Sequence, residues 1–140
     1  MYLSMAAWFA DQNLPGMAAW MRKQAKEEQT HAMKFYDFLY ERGANVELEA
    51  IAKPPITWNS PLAVFQEAYS HEQKVTKMIE DIYFQAKQEN DPATEVMLHW
   101  FIDEQVEEED SALNIVEQLK MIGDSKQGIL MLDHQLGKRE

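Results

Sequence analysis

A chain of 140 residues with 46% hydrophobic content can build one domain around its own core, and its composition excludes a disordered polymer. Acidic side chains outnumber basic ones 24 to 13, so the net charge of −11 favours cations and excludes nucleic acid as an expected partner. No cysteine is present, which excludes disulfides, thiolate-bound zinc, iron–sulfur clusters and thiol catalysis.

Residues 1–11 read as a helix with no cap before it. Their start, MYLSMAAWFA, lacks a basic stretch and runs into Asp11, so no secretory leader is expected. No apolar run approaches the ~18 residues of a membrane span, and the protein is expected in the cytoplasm, away from membranes. Asn13, Pro15 and Gly16 mark a turn, with Asn13 expected to cap the next helix. That helix runs unbroken from Leu14 to about Arg42, where Gly43 suits its end. Residues 43–59 hold Gly43, Pro54 and Pro55 and form a long connection. Ser60–Pro61 starts a third helix that reaches about Gln88. Asn90, Asp91 and Pro92 make a short turn, and Asp91 caps a fourth helix ending near Ile122 and Gly123. A short fifth helix covers roughly 125–136. Nothing alternates at period two, so no strand is expected.

Helices of roughly 28 residues would be ~42 Å long and would pack as an antiparallel bundle of two hairpins. The connection over 43–59 is long enough to cross the bundle's height. The expected fold is all-α: a four-helix bundle with a long crossover between helices 2 and 3, a short C-terminal helix and an abbreviated first helix. One domain is expected over residues 1–140.

Placing residues at 100° steps puts charges inside the apolar stripes. On the second helix the stripe is Leu14, Met17, Met21, Ala25, Ala32, Phe35 and Leu39, with Glu28 at its centre and His31 on its flank. On the third it is Phe65, Ala68, Tyr69, Thr76, Ile79, Tyr83 and Ala86, centred on Glu72. On the fourth it is Met97, Trp100, Phe101, Ala112, Ile115, Leu119 and Ile122; Glu104 and Glu108 lie within it, and Gln105 and Glu107 flank it. A buried lone carboxylate costs several kcal/mol unless it is paired or bound to a cation. Lys23, Lys26, Lys34, Lys74, Lys77 and Lys120 all plot on outer faces, so a multivalent cation is the economical explanation. Glu72 and Glu108 stand equally far from the turn at Asn90, ~27 Å along their helices, which brings them to one level. Carboxylates with one imidazole suit iron or manganese, with zinc as a competitor. A bundle di-metal centre uses a Glu from each of two helices and an E-x-x-H from each of the other two. Glu28-Gln29-Thr30-His31 supplies one such motif. The fourth helix carries Gln105-Val106-Glu107-Glu108 instead, a weaker and more open arrangement that suits metal passing through.

With Lys26-Glu27-Glu28-Gln29-Thr30-His31, Tyr69-Ser70-His71-Glu72-Gln73 and the run from Trp100 to Glu109, the sequence resembles the non-haem ferritins of bacteria and archaea over essentially its whole length. The resemblance implies an iron-storage subunit that oxidises Fe(II) with O2 or peroxide at a di-iron ferroxidase centre. Glu28 would bridge the irons and His31 complete the first; Glu72 and Glu108 would hold the second, with Gln105 nearby. Glu27, Glu104 and Glu107 match a third iron site, and Tyr2 matches a tyrosine that supplies an electron. The family implies self-association into a hollow cage of 24 subunits. Its first helix carries a further glutamate ligand upstream of the position of Met1, which is expected to weaken the first iron site here. The alternative expectation is therefore a metal-binding structural subunit with weak or no ferroxidase activity. A carboxylate-bridged oxygenase is disfavoured by Gln105 and the fifth helix, and a metal-free interaction module by the centred glutamates.

Overall fold

A computed structural model describes residues 1–138; the last two residues of the domain expected over 1–140 lie outside it. Five helices follow in chain order: α1 (Tyr2–Asp11), α2 (Pro15–Glu41), α3 (Pro61–Gln88), α4 (Pro92–Ile122) and α5 (Lys126–Leu136). Among the described residues there is no strand. The chain divides into two compact units, one of Met1–Trp58 with the segment from Ser125, the other Asn59–Asp124.

Helix ends follow local chemistry. At the end of α2 the Gly43 amide bonds the Tyr40 carbonyl and the Ala44 amide bonds that of Leu39, with Gly43 at φ 75°. This closing motif needs a left-handed residue, and glycine adopts that conformation without a Cβ penalty. Asn90 does the same for α3 at φ 56°, with the Asp91 amide bonding the Ala86 carbonyl. Asn13 does it for α1 at φ 57°, with the Leu14 amide bonding the Phe9 carbonyl. Asn13 therefore terminates α1 and does not cap α2; a left-handed backbone is incompatible with the extended conformation of an N-cap. Ser60 and Asp91 cap α3 and α4 as expected, accepting from the amides of Ala63 and Thr94.

In the first unit α1 packs antiparallel on α2 through Met5, Phe9, Met17 and Met21, all fully buried, with Ala6 and Ala18 allowing close approach. At 10 residues α1 spans ~15 Å, so it runs opposite only the first turns of the 27-residue α2. Ala32 and Leu39, expected in the stripe of α2, are exposed beyond its reach. Near that end the rings of Tyr36 and Tyr40 meet tilted at 58°, centroids 5.1 Å apart, and their hydrogen bond raises the Tyr36 phenol above its ordinary pKa. The connection after α2 returns to α1: the Ser4 hydroxyl donates to the Pro55 carbonyl, and the rings of Trp8 and Trp58 meet edge-on at 6.1 Å.

α5 docks on the start of α2. The N-cap position of α2 is Leu14, which has no side-chain oxygen to offer. The Asp133 carboxylate, 6% exposed, accepts instead from the Met17 amide at 2.7 Å, supplying from 116 residues downstream what a local cap would. The approach depends on Gly16, where a Cβ would stand 1.8 Å from the Asp133 carbonyl oxygen.

The second unit is the α3–α4 hairpin, whose helices of 28 and 31 residues match in length. Val64, Phe65 and Ala68 of α3 and Leu98, Phe101, Ile115 and Leu119 of α4 are buried. Two details differ from the stripe expected for α4. Leu98 is buried where Met97 was expected, and Trp100 is exposed, packing edge-on against Phe101 at 4.9 Å. A slight rotation of the helix toward Leu98 accounts for both.

Candidate metal centre

The α3–α4 hairpin holds most of the buried carboxylate. Glu72 is 1% exposed, Gln105 4% and Glu108 6%. Gln105 and Glu108 are three residues apart on α4 and share a face. The Gln105 amide nitrogen donates to the Glu72 backbone carbonyl at 3.2 Å, to the Glu72 carboxylate at 3.3 Å and to the Thr76 hydroxyl at 3.3 Å. The Thr76 hydroxyl lies 2.5 Å from the Glu109 carboxylate and 3.0 Å from the Glu72 carbonyl. These pairs put Glu72 and Thr76 level with the segment 105–109, as the equal distances of Glu72 and Glu108 from Asn90 require. Farther toward the turn, the rings of Tyr83 and His99 meet at 5.8 Å in the same register.

On α2, His31 Nδ1 lies 3.7 Å from the Glu28 carboxylate, with side-chain exposures of 12% and 28%. One turn of helix brings these two side chains together, as the E-x-x-H spacing demands. Glu27 is half-buried with the Lys23 ammonium 3.8 Å away. Tyr2, from the start of α1, is buried with 4% exposure. Glu104 is half-buried and Glu107 is exposed.

Three polar residues of the interior escaped the sequence reading or were misplaced by it. Gln105 is a buried member of its helix's inner face, not a flank. Gln24 is completely buried one turn before Glu28, and Asp133 is buried in α5. Gln24 had a readable signal in its place between Met21 and Glu28 on the apolar stripe. Asp133 had none, because its burial depends on a glycine far away in sequence.

Chemically, the inner face of α3–α4 offers two carboxylates and a carboxamide, a hard oxygen set; α2, taken by itself, carries a carboxylate and an imidazole one turn apart. Such donors prefer Fe, Mn or Zn ions to soft metals. Among the described residues every buried side-chain nitrogen or oxygen has a hydrogen-bond partner, so the burial of these groups is supported before any ion arrives.

The family model for a ferritin-like domain matches residues 1–122. A bacterial non-heme ferritin of Bacteroides fragilis is 40% identical over 139 residues, covering 99% of this chain and 86% of the relative. One from Staphylococcus aureus is 37% identical over 138 residues, covering 99% and 83%. Among solved structures, an open pore ferritin from Archaeoglobus fulgidus superposes with a TM-score of 0.98 at 50% identity, covering 99% of this chain and 86% of that one. The all-helical fold, a four-helix bundle with a short C-terminal helix, is the one these structures share.

Proposed function

The chain belongs to the ferritin family, and on that premise we propose that it stores iron by oxidising Fe(II) at a carboxylate-lined di-iron centre and releasing the product into a cage built from copies of itself. Glu28 and His31 from α2 serve the first iron, Glu28 also bridging to the second, and Glu72, Gln105 and Glu108 from α3–α4 serve the second. Glu27, Glu104 and Glu107 take the oxidised ion onward. Tyr2, buried in α1, is given the electron-donor role that the family resemblance implies. We infer one ferritin-like domain over residues 1–140, a cytoplasmic location and a 24-subunit assembly, as the family resemblance implies. No helix among the described residues is long and apolar enough to cross a membrane.

The observation that carries this reading is Glu72, a carboxylate withdrawn almost completely from water on the inner face of α3 and braced by a glutamine. A buried anion costs several kcal/mol unless a cation or strong hydrogen bonds repay it, and a multivalent cation would repay it most fully. Iron is the substrate. Each Fe(II) gives up one electron, so a pair supplies the two that take dioxygen to hydrogen peroxide, or peroxide to water. Hard carboxylate oxygens stabilise Fe(III) over Fe(II) and thereby favour the oxidation. The residues bind and orient the pair, and the exposed Glu107 and half-buried Glu104 offer the product a path toward solvent.

The test is Fe(II) oxidation by O2 on metal-free protein, with assembly size recorded on the same sample. Oxidation that saturates at two irons per subunit in a large assembly is expected. Glu72→Ala is expected to slow it by about a hundredfold or more, since even outer-sphere changes at metal sites cost 10–100-fold. Wild-type oxidation no faster than buffer would overturn the proposal.

A further inference from the structure

Thr76 and Glu109 belong to none of the proposed iron ligands, yet they form the outer part of the hydrogen-bond network around Gln105. Thr76 has one hydroxyl proton and three polar neighbours: the Glu109 carboxylate at 2.5 Å, the Glu72 carbonyl at 3.0 Å and the Gln105 amide nitrogen at 3.3 Å. The short bond to an ionised carboxylate is the strongest of these, so the proton goes to Glu109. What Thr76 then presents to Gln105 is a lone pair, and a lone pair demands a donor. The Glu72 carbonyl and carboxylate oxygens make the same demand at 3.2 and 3.3 Å. Three acceptors therefore surround one side of the Gln105 amide. Reversing it would set its oxygen against all three and leave its nitrogen's two protons elsewhere.

We propose that Thr76 and Glu109 are positioning residues that lock the Gln105 side chain, with its amide group on Glu72 and its carbonyl oxygen free to bind the second iron. Glu109 acts at one remove, by committing the Thr76 proton. The proposal rests on the reading of Glu72, Gln105 and Glu108 as iron-holding residues. It explains how a helix that carries Gln105 and Glu108 in place of an E-x-x-H pair keeps its glutamine oriented. An imidazole is oriented by one partner on its far nitrogen, whereas a carboxamide has two similar ends and needs a partner that distinguishes them.

The experiment titrates metal-free protein with Co(II), following heat and the visible ligand-field spectrum, and then measures the Fe(II) dependence of oxidation. Thr76→Val keeps the volume and removes the hydroxyl. It is expected to weaken Co(II) at one of the sites about tenfold and to raise KM for Fe(II) by a similar factor, with kcat less affected and the unfolding midpoint near that of the wild type. Thr76→Ser should restore both. Glu109→Gln, which can donate to Thr76 and turn its proton toward Gln105, should move affinity in the same direction as Thr76→Val and provides a second route should the valine variant fold poorly. Wild-type affinity and spectrum in both Thr76→Val and Glu109→Gln, or a serine variant no better than valine, would overturn the proposal. Wild-type protein that binds no Co(II), or Glu72→Ala that binds it unchanged, would overturn the underlying metal reading instead.

Discussion

The two helical hairpins treat their polar interior differently. In α3–α4, helices of nearly equal length bury Glu72, Gln105 and Glu108, and the Gln105 amide bonds Glu72 and Thr76 across the hairpin. In α1–α2, a short helix faces a long one, and Glu28 and His31 sit beyond its reach, half-buried and 3.7 Å apart. The first unit also holds a buried polar contact at the opposite end of α2, where Asp133 reaches the Met17 amide. Matched partners can preorganise ligands before metal arrives; an unmatched helix leaves its ligands freer to adjust.

The contrast can be broken most strongly in the apolar layer. Phe65→Ala empties a fully buried position under α3–α4 and should cost ~3–5 kcal/mol, read from urea unfolding followed by helical circular dichroism. A loss below 1 kcal/mol would mean the hairpin can collapse around the void. Gly16→Ala should cost about 3 kcal/mol, because the new methyl meets a backbone carbonyl that cannot move without shifting α5. Asp133→Ala should cost about 1–2 kcal/mol, for the same helix start loses a buried side-chain acceptor. Smallest is Ser60→Ala, about 1 kcal/mol, since the cap of α3 is local and partly open to water. If Ser60→Ala proves costlier than Asp133→Ala, the distant cap contributes less to α2 than its geometry indicates.

These same residues explain what could be read without coordinates. Ser60–Pro61, Asp91–Pro92, Gly43 and Gly123 mark helix ends through chemistry that acts within four residues, so the element boundaries were legible. Asn13 misled because asparagine suits both an N-cap and a left-handed helix end, and only the hydrogen bond from Leu14 to Phe9 decides between them. The centring of Glu72 and Glu108 on apolar stripes was visible from periodicity alone. The burial of Gln105 was not, because a polar residue counts against burial in such a pattern unless its partner across the hairpin is known. Ala32 and Leu39 failed for the reverse reason: an apolar stripe says which face would be covered, not how far the covering helix extends. Gly16 and Asp133, 117 positions apart, carry no mutual signal in a single sequence.

Synthesis on the ribosome gives the Asp133 contact a temporal meaning. α2 emerges early, but the group that satisfies the start of that helix is translated 116 residues after Met17. At ~5–20 residues per second the amides of its first turn wait several seconds for their acceptor. Until then the α1–α2 turn is held by its apolar contacts and by backbone bonds such as that from the Leu14 amide to the Phe9 carbonyl, and arrival of α5 completes it. A chain halted before Asp133 would carry an incompletely finished α2, so the last helix reports that translation has passed the point where the first hairpin can be sealed.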